Sequence, residues 1–121
     1  MISIIKPKVD NRKFRGGTLK NNIKFILIND KYLTKSYVSV SINAGSYYNP
    51  ENYDGLAHFL EHMLFMGSKK YPQENYFMKK LNEYGGETNA YTSTFGTTYY
   101  FNVHKFLNLV LLNPSYCLRN L

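Results

Sequence analysis

His58 and His62 stand four residues apart with Glu61 beside the second, inside a stretch that is otherwise apolar: Leu56, Phe59, Leu60, Met63 and Leu64. An α-helix advancing about 100° per residue places the two imidazoles roughly 40° apart around its axis and one turn apart along it. Glu61 falls about 60° to the other side of His58. A helix this apolar is expected to be largely buried, and there a carboxylate flanked by two imidazoles is costly unless something such as a metal compensates. The fold must therefore supply both cover for this helix and a reason for its polar triad.

The surrounding pattern predicts the cover. Tyr37 to Ala44 alternates, with Val38, Val40, Ile42 and Ala44 on one side and Tyr37, Ser39, Ser41 and Asn43 on the other, which is a half-buried strand. A loop over residues 45–53 follows. The motif helix is then predicted from an N-cap at Asp54 to about Met66, ending at Gly67. A second helix is predicted from Pro72, with Gln73 and Glu74 near its positive end, to Gly85-Gly86; Phe77, Leu81 and Tyr84 form its apolar stripe. Thr88–Thr94 and Thr97–His104 read as a hairpin around Phe95-Gly96. Upstream, Thr18–Lys20 and Ile23–Ile28 read as a hairpin turning at Asn21-Asn22, residues that tolerate positive φ. Ile26 to Ile28 is apolar on both faces, so this strand is expected to be central in a covered sheet. Residues 1–17 read as a basic extended arm ending at Gly16-Gly17. At the other end, the apolar run Phe106–Leu112 is broken by Asn113-Pro114. The expected class is α+β: an antiparallel sheet packed against two helices.

Charge and composition narrow the partners. The net charge is +7, but residues 1–40 carry nine Lys and Arg against Asp10 and Asp30, while the remainder is balanced. The basic run near Arg12 is short and fits no nucleic-acid module, so a solvated basic arm is the simpler reading and nucleic acid is disfavoured as a partner. No apolar run approaches the roughly 18 residues of a membrane span, and the apolar start is too short for a secretory signal. One cysteine, Cys117, and no Asn-x-Ser/Thr sequon fit a reducing, cytoplasmic compartment.

Two imidazoles one turn apart on a helix are a chelating pair for zinc, which binds neutral imidazole and carboxylate in tetrahedral array. A catalytic zinc takes three protein ligands and leaves one position to water, whose pKa it lowers towards about 7. Glu61 is placed to accept that water's proton as general base. Its order, His-x-x-Glu-His, is the inverse of the usual zinc-protease motif. An i, i+4 histidine pair without metal on a surface helix is the alternative.

Residues 55–72, Gly-Leu-Ala-His-Phe-Leu-Glu-His-Met-Leu-Phe-Met-Gly-Ser-Lys-Lys-Tyr-Pro, resemble the active-site segment of the insulin-degrading enzyme branch of the insulinase (pitrilysin-like, inverzincin) metallopeptidases. The likeness runs from about Ile4 to about His104 and includes Tyr71-Pro72-Gln73-Glu74-Asn75 and Gly85-Gly86-Glu87-Thr88-Asn89-Ala90-Tyr91-Thr92. It implies a zinc-dependent endopeptidase holding one Zn²⁺, with His58 and His62 as ligands and Glu61 as base. It further implies an edge strand at Asn89 and Ala90 that pairs with the peptide substrate, and Phe65 as a wall of a substrate side-chain pocket. Without the family, Thr88–Thr94 is an ordinary polar edge, and Phe65 is a core residue.

The same resemblance implies a third ligand, a glutamate on a helix well downstream, and no acidic residue follows Glu87 in this sequence. The expectation is a truncated first domain of the insulinase-type fold spanning residues 18–121, divergent after residue 104. Further peptidase domains or another chain would complete its site. A fragment of an enzyme and a short homologue that binds peptides or partners without cleaving them both stay open.

Overall fold

The structure, a computed structural model, describes residues 4–104. The apolar run Phe106–Leu112, its break at Asn113-Pro114 and Cys117 lie outside the described residues. The fold is α+β, with two helices and antiparallel sheets, and the chain divides between Leu33 and Thr34 into two compact units. No helix among the described residues is long and apolar enough to cross a membrane.

The first unit is a hairpin. Strand β1 (Lys13–Thr18) pairs antiparallel with β2 (Lys24–Asn29), Lys13 opposite Asn29 and Thr18 opposite Lys24. The turn works as its sequence suggests: Asn22 takes a φ of 66°, and Leu19 N–H donates to the Ile23 carbonyl at 2.8 Å. Two expectations are corrected. The strand begins at Lys13, so residues 13–17, including the glycine pair, are sheet rather than arm. Nor is β2 central. It belongs to a two-stranded sheet, and Ile26, Leu27 and Ile28 are 57%, 58% and 50% exposed. Apolar character on both faces records what a strand can bury, while cover depends on what packs against it. Before the hairpin, the guanidinium of Arg12 forks onto the carboxylate of Asp10 and holds its pKa down to about 2.

The second unit is a three-stranded antiparallel sheet in the order β3-β5-β4, where β3 is Lys35–Ile42, β4 Glu87–Thr92 and β5 Thr97–His104. The alternation of β3 survives from Tyr37 to Ile42, with Val38, Val40 and Ile42 half-buried and Tyr37, Ser39 and Ser41 exposed, but Ala44, expected on the covered side, lies beyond the strand end and is exposed. Helices α1 (Leu56–Met63) and α2 (Tyr76–Glu83) both pack on β4. Beneath α2, Phe77 meets Phe101 edge-on with ring centroids 5.6 Å apart, and Leu81 and Val103 are the buried apolar residues of the described core.

Both helices start later than predicted. Asp54 does not cap α1; Gly55 precedes it at a φ of 84°, and Ala57 N–H is satisfied by Asn49 Oδ1 at 3.0 Å, a partner eight residues upstream. Pro72 lies outside α2, whose N-cap is Asn75 at a φ of 57°. In each case a residue that tolerates left-handed backbone turns the chain into the helix. The larger correction concerns burial. Leu56, Phe59, Leu60 and Met63 of α1 are 44–62% exposed, and the buried residue of the helix is Glu61.

Candidate metal centre

Glu61 is buried because of the side α1 turns to the sheet. Ala57, Glu61 and Leu64 share one face at helical spacing, and that face meets β4 and β5. The helix is seated from its front end. A 3₁₀ turn, Ser46–Tyr48, bonds to the β4–β5 turn through Ser46 N–H to Ser93 carbonyl (3.0 Å) and Tyr47 N–H to Thr94 carbonyl (2.8 Å). Gly45, just before it, lies so close that an added Cβ would stand 2.3 Å from Ser93 carbonyl oxygen and 2.4 Å from Gly96 nitrogen.

On the outer side of α1, His58 and His62 bring their Nε2 atoms to 3.0 Å, with ring centroids 4.7 Å apart. One ligand atom from each of His58, Glu61 and His62 lies within 4.8 Å of the others, the only such cluster among the described residues. The donor set fits zinc. With Zn–N of about 2.0–2.1 Å, a tetrahedral ion sets two nitrogens roughly 3.3 Å apart, a few tenths of an ångström from the spacing in place.

Glu61 is 7% exposed and held by one strong bond: Thr92 Oγ1, on β4, donates to its Oε2 at 2.5 Å. Behind Thr92 stands Thr97, 4% exposed, whose Oγ1 donates to the Ala44 carbonyl at 2.7 Å and lies 3.3 Å from Thr92 Oγ1. Tyr99 completes the surroundings. Its phenol is pushed above 10.0, first by burial and then by the charge of Glu61.

A raised phenol pKa means that the unfolded chain loses this proton first as pH rises. The native state therefore keeps its full stability below about pH 10 and loses it through the folded pKa of Tyr99. In metal-free protein, a phenolate absorbance titration is expected to show a late step for Tyr99, and Tyr99→Phe removes it. Glu61→Gln moves it only part of the way back, because burial is the larger cause.

The other expected residues are dispersed. Phe65 follows α1, half-buried, with its ring 6.2 Å from that of Tyr99. Ala90 shares the helix-facing side of β4 with Thr92, whereas Asn89 is exposed on the opposite side. Asn89 Oδ1 accepts from the Ala90 N–H at 2.8 Å. Strand β4 is an edge of its sheet. Sequence reasoning missed Thr92, Thr97 and Tyr99. Period-two spacing puts Thr88, Ala90 and Thr92 on one face, but nothing local says that Glu61 lies over it.

Residues 24–107 match the profile of Insulinase (Peptidase family M16). The chain is 47% identical over 105 residues to insulin-degrading enzyme of Homo sapiens, covering 86% of this chain and 10% of that protein. It is 46% identical over 101 residues to insulin-degrading enzyme-like 2 of Arabidopsis thaliana, covering 84% of this chain and again 10% of the relative. Among solved structures, the crystal structure of pitrilysin superposes with a TM-score of 0.80 at 40% identity, over 84% of this chain and 11% of pitrilysin. The chain thus spans about a tenth of the length of the relatives it matches.

Proposed function

Because this chain belongs to the insulinase family, peptidase family M16, we propose that it carries the zinc-binding and proton-accepting part of a metalloendopeptidase site. The observation that carries this reading is the convergence of His58, Glu61 and His62 within 4.8 Å on one short helix. His58 and His62 would hold a single Zn²⁺ through their imidazoles. Bound there, it would supply Lewis acidity that brings the pKa of a water towards about 7.

The chain's own residues do the rest. Glu61, with Oε2 engaged by Thr92, offers Oε1 to take a proton from the attacking water and pass it to the departing amine. An extended peptide adds to the edge of β4, where a substrate carbonyl takes the Ala90 N–H in place of Asn89 Oδ1. Backbone pairing of this kind binds with little sequence preference. Phe65 walls a side-chain pocket beside Tyr99. Two histidines leave the coordination shell open to one further carboxylate ligand beside the water.

The test is zinc stoichiometry of the purified chain beside His62→Ala, with cleavage of a quenched peptide measured in parallel. The expected result is one zinc per chain, lost in His62→Ala by more than the roughly 100-fold in affinity that outer-shell partners cost. An unsubstituted chain that takes up no zinc overturns the reading. The position of β4 at the edge of its sheet among the described residues favours one alternative, a peptide-binding module without turnover. Zinc and peptide bound without cleavage would select it.

A further inference from the structure

We propose that Thr92 is the positioning residue for Glu61, fixing which carboxylate oxygen faces the reaction; this rests on Glu61 being the base. The hydroxyls of Thr92 and Thr97 allow one proton assignment that satisfies every short contact. Thr97 Oγ1 gives its proton to the Ala44 carbonyl at 2.7 Å, and Thr92 Oγ1 gives its own to Glu61 Oε2 at 2.5 Å. That leaves no proton for the Thr92–Thr97 contact, which is the longest of the three at 3.3 Å. A hydroxyl-to-carboxylate distance of 2.5 Å belongs to the strong, charge-assisted class.

The placement is rigid for three reasons. Threonine is stiff at χ1, so its Oγ1 has one direction once the methyl is packed. Thr92 closes β4 opposite Thr97, the first residue of β5, so the sheet register sets its height. Thr97 is 4% exposed and tied to the Ala44 carbonyl just beyond β3, which holds the pair beneath α1. A glutamate on a helix otherwise samples three torsions. One bond from the sheet removes that freedom at Oε2 and leaves Oε1 as the single available base atom.

NMR on the full, zinc-free chain tests this without requiring turnover. The unsubstituted chain is expected to show a slowly exchanging Thr92 hydroxyl proton with a nuclear Overhauser contact to Glu61, and Glu61 α–β couplings of one rotamer. Thr92→Val, which keeps the shape and removes the hydroxyl, should give averaged couplings, and Thr92→Ser should restore the single rotamer. No protected hydroxyl in the unsubstituted chain, or one Glu61 rotamer in Thr92→Val, overturns the proposal. If Thr92→Val does not fold, the unsubstituted chain and Thr92→Ser decide. Where the chain cleaves peptide, kcat falls about 10–100-fold in Thr92→Val and recovers in Thr92→Ser, with KM within about twofold throughout; unchanged kcat overturns the proposal. The NMR signature in a chain that takes up no zinc removes the hydrolytic reading and leaves the positioning contact standing.

Discussion

Where the zinc-loaded chain cleaves peptide, Glu61→Gln is expected to lower that cleavage about 10²–10⁴-fold, the range general bases contribute. The substitution isolates basicity. A glutamine oxygen still accepts from Thr92 Oγ1, so the side chain keeps its anchor, yet an amide does not take up a proton near neutral pH. His58 and His62 are untouched, so zinc stoichiometry should not change. Cleavage that survives in zinc-loaded Glu61→Gln would move the base elsewhere. Loss of zinc together with activity would make Glu61 a ligand instead.

Gly45→Ala is expected to have the largest effect on stability, about 3 kcal/mol, the upper part of the range for overpacking. The new Cβ would meet backbone rather than a flexible side chain: Ser93 carbonyl oxygen at 2.3 Å, Gly96 nitrogen at 2.4 Å and Thr94 carbonyl oxygen at 2.6 Å. Relief requires parting the 3₁₀ turn from the β4–β5 turn, and with it the seating of α1. Set against a typical total of about 5–15 kcal/mol, this is a large loss. Gly55→Ala is the control, because nothing lies within 4 Å of its added Cβ and only the positive φ is strained, a cost of about 1 kcal/mol. The urea midpoint should fall much further for Gly45→Ala. Equal shifts would mean that the contact at Gly45 yields easily.

Much of the second unit was legible. The period-two pattern of β3, the hairpin of β4 and β5, and the inward stripe Phe77, Leu81 and Tyr84 are all local signals, and the strands and helix face follow them. Helix starts were less so. Asp54 and Pro72 are good starting residues by composition, but Asn49 reaches Ala57 from another loop, and Asn75 adopts left-handed backbone instead. The strand β2 misled for a related reason. Two apolar faces state a capacity for burial, whereas the described cover is one strand on one edge.

The sequence by itself determined the histidine pair, because helical geometry brings residues four apart to one face, and His58 and His62 meet there at 3.0 Å. It also determined that Glu61 stands beside them. Only the tertiary structure decided that Glu61, rather than the apolar residues around it, is the side chain α1 turns inward, and that Thr92 waits there to receive it. That contact joins residues thirty-one apart in the chain. It depends on Gly45 letting one backbone lie against another and on the register of β4 with β5, and no periodicity within either segment encodes where the other will be.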